Sequence, residues 1–116
     1  MSGGPVSLVG QYKLIRVNGK APETPAPVVL RLEAAPDNAN KLRLHVKVAN
    51  SMNGVVSIED GKLKGPLMST RMMGTPAQMT VEHILGSDLM EGVAYTLEDK
   101  VLKMTGKTGS LEWAAE

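Results

Sequence analysis

Cysteine and phenylalanine are both missing from the 116 residues. Without cysteine there is no disulfide, no thiolate metal site and no cysteine nucleophile, which suits a reducing compartment. Aromatic residues are few, Tyr12, Tyr95 and Trp113, too few for a platform on which successive bases stack. No apolar run approaches the ~20 residues a membrane-spanning helix needs. The start, Met1-Ser2-Gly3-Gly4-Pro5, lacks the apolar core of a secretory signal, and position two is not the glycine of the usual myristoylation pattern. Thirteen basic residues nearly cancel twelve acidic ones, and no run of one sign occurs. That argues against a dedicated nucleic-acid or anionic-membrane surface. The expectations are a cytoplasmic monomer with no nucleic-acid partner and no membrane insertion.

What is present is mostly alternation. Leu42, Leu44, Val46 and Val48 alternate with Arg43, His45 and Lys47, the pattern of a half-buried strand. Val28, Leu30 and Leu32 alternate in the same way, and Leu8–Val17 reads as a first strand. Asn18-Gly19 marks a turn after it, because both residues tolerate positive φ, and Asp60-Gly61 between alternating runs marks a hairpin. The proline-bearing stretch 21–27 and the polar stretch 36–40 read as connections, and 50–54 as the break between two strands. After a helical segment, Val93, Tyr95 and Leu97 alternate again. Turns at Glu98-Asp99 and 106–109 lead to closing strands at 101–105 and 110–114. The expected fold is mainly β (α+β), a small antiparallel barrel of about seven or eight strands. Residues 1–116 suit one domain, with a flexible segment over 1–6 and the barrel over 7–115.

One helix is expected, over about 76–90. Thr75 serves as N-cap, Pro76 as the first helical residue, and Gln78 completes a Thr-x-x-Gln capping box. Ala77, Val81, Ile84, Leu85 and Leu89 share one face at 3.6-residue spacing. Glu82 and His83 fall to the flanks, and Gly92 is a natural stop. A single apolar helix face needs a single apolar partner, so the helix is expected to plug the barrel mouth.

Sites of chemistry are hard to find. His45 lies on the polar face of a strand and His83 on a helix flank, and both read as solvated. No HExxH, GxSxG or P-loop spacing occurs, and no serine or threonine is marked by a positioned base. The expectation is a non-enzyme with no cofactor and no metal. Methionine is in excess, with eight residues. Met52, Met68, Met73, Met79 and Met90 are candidate contacts for a protein partner or an apolar small molecule, since methionine adapts to varied surfaces. Ordinary core packing in a chain without phenylalanine is the competing explanation.

Four motifs in order resemble the META domain family (HslJ-like). They are Leu8-x-Gly10-x-Tyr12-x-Leu14, Ala49-Asn50-Ser51-Met52-Asn53-Gly54, Thr70-Arg71-Met72-Met73-Gly74, and the closing Leu102, Met104 and Leu111–Trp113. On this resemblance Asn50, Gly54, Thr70, Arg71, Met72 and Glu82 are family-motif residues. A structural role is expected for them: Asn50 and Gly54 in a turn, and Arg71 pinning the loop before the helix. The family's two cysteine positions fall on Ala49 and Gly74. The short single-domain form is similar to the META proteins of kinetoplastids, which implies a virulence-associated protein linked to secretory processes. A small carrier of lipids or other hydrophobic ligands in a barrel cavity is the alternative.

Overall fold

The computed structural model describes residues 8–36 and 40–116. The flexible segment expected over 1–6 lies outside the described residues. Nine strands form in chain order: β1 Gly10–Val17, β2 Val29–Ala34, β3 Lys41–Lys47, β4 Ser51–Glu59, β5 Lys62–Lys64, β6 Met68–Ser69, β7 Val93–Glu98, β8 Val101–Thr105 and β9 Ser110–Ala115. Eight of them close into an antiparallel barrel in the order β3-β2-β1-β9-β8-β7-β5-β4, with β4 pairing back onto β3. The two-residue β6 lies outside this ring and pairs with the start of β4, through Met52↔Ser69 and Asn53↔Met68.

Alternation sets which side chains enter the barrel. Tyr12 and Leu14, Leu30 and Leu32, Leu42, Leu44 and Val46, Leu102 and Met104, and Leu111 and Trp113 are all buried. Each such aliphatic or aromatic side chain contributes roughly 1.5–3 kcal/mol on leaving water. Register follows because a one-residue slip would turn every one of these groups outward. The expected turns form with left-handed central residues, Asn18 and Gly19 at φ 52° and 81°, and Asp60 and Gly61 at φ 49° and 76°. The third tight turn sits one residue later than expected, at Asp99-Lys100, and carries no glycine.

The helical segment comprises α1 Pro76–His83, a π turn over Ile84–Asp88, and α2 Leu89–Glu91. Both halves of the capping box form: Gln78 N–H donates to Thr75 Oγ1 at 3.2 Å, and Thr75 N–H donates to Gln78 Oε1 at 2.9 Å. Val81, Ile84, Leu85 and Leu89 are buried, as the spacing predicts. The helix seals one end of the barrel. Its side chains reach the turn between β3 and β4 and the turn between β8 and β9, and Leu89 C=O accepts from Gly65 N–H at 2.9 Å. The π turn is not visible in the sequence pattern. It adds one residue to a turn, and Asp88 at its end is buried on the apolar side beside Leu89.

Two expectations need correction here. Gly54 is not in a turn; it lies inside β4 opposite Leu44, with the 65–67 segment crossing close above it. A Cβ on Gly54 would come within 3.1 Å of the Leu67 side chain, so the close approach needs glycine. Met52 is not placed for contact with a partner; it is 3% exposed and packs inside the barrel.

Candidate functional site

Asn50 organises the rim where helix and barrel meet. It is buried at the turn between β3 and β4, and every hydrogen-bonding position of its amide is used. Its Nδ2 donates to Glu82 Oε1 at 2.8 Å and to Met72 C=O at 3.0 Å. Its Oδ1 accepts from Thr70 Oγ1 at 2.9 Å and from Met72 N–H at 2.5 Å. Glu82, on α1, accepts in addition from the backbone N–H groups of Ala49 at 2.9 Å and Asn50 at 2.7 Å. A carboxylate with three N–H donors is a strong anchor, because charge-assisted bonds are about twice as strong as neutral ones. Thr70 Oγ1 in turn accepts from Ser51 N–H at 3.2 Å. Helix, turn and the segment 68–73 are thereby joined through one amide and one carboxylate.

The motif residues therefore meet in space, with exceptions. Asn50, Thr70, the Met72 backbone and Glu82 form one network. Gly54 lies down the strand from it. Arg71 does not pin the loop: it is exposed and makes no hydrogen bond or ion pair among the described residues. Asn50 does the pinning that was expected of Arg71, because an amide offers donors and acceptors together, whereas a guanidinium only donates.

The methionines divide into two groups. Met68, Met72, Met73 and Met90 are exposed, at 78%, 57%, 91% and 57%. Met52 and Met104 are core. Met79, a candidate contact, is half-buried, and its Cε sits 2.9 Å from where a Gly74 Cβ would stand. Met68, Met72 and Met73 thus share the short segment that Asn50 holds. Arg71 stands among them.

The interior is filled rather than hollow. Trp113, Leu30, Leu42, Leu63, Leu102 and Leu111 are all fully buried and occupy the space a ligand would need. Depressions lie on the outside, one of about 500 Å³ over β2, β3 and β4. Another, about 280 Å³, lies between Met79, His83, Ile84 and Thr108. Among the described residues no group of three or more His, Cys, Asp or Glu converges as a metal site. Among the described residues no helix is long and apolar enough to cross a membrane.

Asp88 was missed by sequence reasoning. It is 1% exposed, and its Oδ2 accepts from Thr108 N–H at 2.9 Å and Thr108 Oγ1 at 2.8 Å. It ties the π turn to the β8–β9 turn, while Oδ1 and the Trp113 Nε1 are buried without partners. Its position three and four residues after the core-facing Leu85 and Ile84 was the available signal. Tyr12 is also buried, with its hydroxyl donating to Leu8 C=O at 2.7 Å. Burial pushes the pKa of that hydroxyl above the usual tyrosine value.

Comparison with known proteins agrees with this architecture. The META domain family model matches residues 6–115. A protein solved by NMR superposes with a TM-score of 0.81 at 20% identity, over 98% of this chain and 96% of that one. At that identity the likeness establishes the fold alone. No curated protein matches the sequence.

Proposed function

This chain belongs to the META domain family, and from that premise we propose a non-enzymatic binding module whose contact surface is the Met68–Met73 segment. The observation that carries the reading is the pairing of exposed methionine with fixed backbone. Met68, Met72 and Met73 stand in solvent, while Asn50 holds the Thr70 hydroxyl and both backbone groups of Met72. An exposed apolar loop that is already ordered loses little conformational entropy on docking. Methionine suits such a surface, since its flexible thioether adapts to a partner's shape. The partner is a protein, met by a monomer of this chain in the cytoplasm. The resemblance to kinetoplastid META proteins extends the reading to virulence-associated physiology linked to secretion.

The filled interior supports a protein partner over an apolar ligand carried inside the barrel. The test is affinity capture from the source cells with the parent chain and with the double variant Met72→Asp/Met73→Asp. Both side chains are exposed, so melting temperature should change little. The reading expects a specific partner that is lost with the double variant. Retention of every partner by the correctly folded variant would remove the loop as the contact site.

A further inference from the structure

The chain has no run of basic residues, yet strand periodicity gathers them. Every outward position of β3 carries a basic or imidazole side chain: Lys41, Arg43, His45 and Lys47, all exposed. Successive members stand about 7 Å apart, two strand residues on. Register then adds to the row. Arg31 of β2 lies opposite His45 on one side and Asn53 of β4 lies opposite it on the other. Arg31 and Arg43 are diagonal neighbours, about 7–8 Å apart at the backbone and well within reach of a common point.

Carboxylates do little to neutralise this face. The one acidic residue on β2 and β3 is Glu33, opposite Arg43, and it forms no ion pair with it. Glu59 accepts from Ser57 at the end of β4, and Glu112 is engaged by Arg16 at 3.3 Å. Arg43 and His45 make no hydrogen bond among the described residues, and Arg31 has only a long contact to Gln11, at 3.4 Å. These groups line a depression of about 500 Å³ together with Leu44, Gly54 and Val55, and Glu33 is the one carboxylate among its lining residues.

We propose that this depression is a binding site for a phosphate-bearing small molecule, anchored by Arg31 and Arg43. Two guanidinium forks, an imidazole and an amide offer more donors than the two oxygens of a carboxylate can accept, whereas a phosphate presents three or more oxygens. The volume lies within the usual range of small-molecule sites, about 300–1,000 Å³. It therefore has room for the organic remainder of a phosphate ester against Val55. Neither Tyr12 nor Trp113 is on this face, as both are buried, so the site offers no aromatic ring on which to stack a base. The site is separate from the methionine loop and stands or falls independently of it.

The shared chemistry, a phosphate ester, could come from a soluble metabolite or a lipid headgroup. Backbone amide NMR with inorganic pyrophosphate tests the site itself. Saturable shifts confined to residues around Arg31, Arg43, His45 and Asn53 are expected, with affinity falling about tenfold in Arg31→Glu and in Arg43→Glu. Both side chains point outward, and unchanged spectra elsewhere will verify the fold. Shifts that fail to saturate, that spread equally to Lys62, Lys100 and Lys103, or that persist unchanged in both variants would overturn the proposal. Co-sedimentation with phosphatidylcholine vesicles, with and without a phosphoinositide, then assigns the source. Phosphoinositide-dependent binding lost in Arg43→Glu identifies a headgroup, and pyrophosphate binding without vesicle binding identifies a soluble ester.

Discussion

Asn50 shows how one buried polar residue can specify a junction. Its four side-chain hydrogen bonds reach the helix and the methionine loop. Asn50→Ala should therefore cost about 3 kcal/mol, since Glu82 loses a donor and Met72 loses partners for both backbone groups. Urea unfolding would measure the loss. Asn50→Asp should be no rescue, because it removes the Nδ2 donor and sets a second carboxylate beside Glu82. Tyr12 supplies a pH dependence. Its pKa is raised in the folded state by burial, so the protonated hydroxyl favours the fold. Its contribution is complete below the unfolded value, about pH 10, and is lost as pH rises through the folded value. Tyr12→Phe should remove that part of the alkaline decline while costing about 1 kcal/mol at neutral pH through the lost bond to Leu8 C=O. Roles of this kind were only partly legible in the sequence. Asn50 was visible as a motif residue, but its partners lie 20 to 32 positions away, and only the folded chain brings them together.

Elements were the most legible scale. Period-two alternation located the strands, and Thr75, Pro76 and Gln78 located the start of the helix. Its far end was less readable, because Asp88 in the π turn meets its partner Thr108 only across the barrel rim, 20 residues along the chain. Two glycines near this element should respond with opposite sign to the same substitution. A Cβ at Gly86 would sit 3.5 Å from Met52 Cε, an ordinary contact, so Gly86→Ala should stabilise by about 0.5–1 kcal/mol. A Cβ at Gly106 would fall 2.5 Å from Asp88 Cβ and Oδ2, so Gly106→Ala should destabilise by about 1–3 kcal/mol. Thermal melts of the two variants would show the contrast. The resemblance placed the family's cysteine positions at Ala49 and Gly74, and a Gly74 Cβ would stand 2.5 Å from that of Ala49. Ala49→Cys/Gly74→Cys should therefore form a disulfide after an adjustment of about 1 Å to reach bridge geometry. The bridge closes a loop of some two dozen residues and should add about 3 kcal/mol of stability, read as a higher urea midpoint that reductant abolishes.

At the scale of the molecule, the fold divides labour between inside and outside. Among the described residues twenty-two buried apolar side chains form one continuous core, and the features suited to recognition, the methionine loop and the basic face of β3, are exterior. Composition could not reveal this division. A near-neutral charge total hid the segregation of Lys41, Arg43 and Lys47 onto one face, and the count of eight methionines hid their separation into core and surface. On the filled interior the whole reading rests: the barrel is closed to ligands, and methionine methyl NMR tests this. Protein labelled at the methionine methyls would be titrated with a medium-chain fatty acid, following the resonances of Met52 and Met104. Both should stay fixed at saturating ligand. Saturable shifts at these two core methyls, with the fold intact, would contradict it.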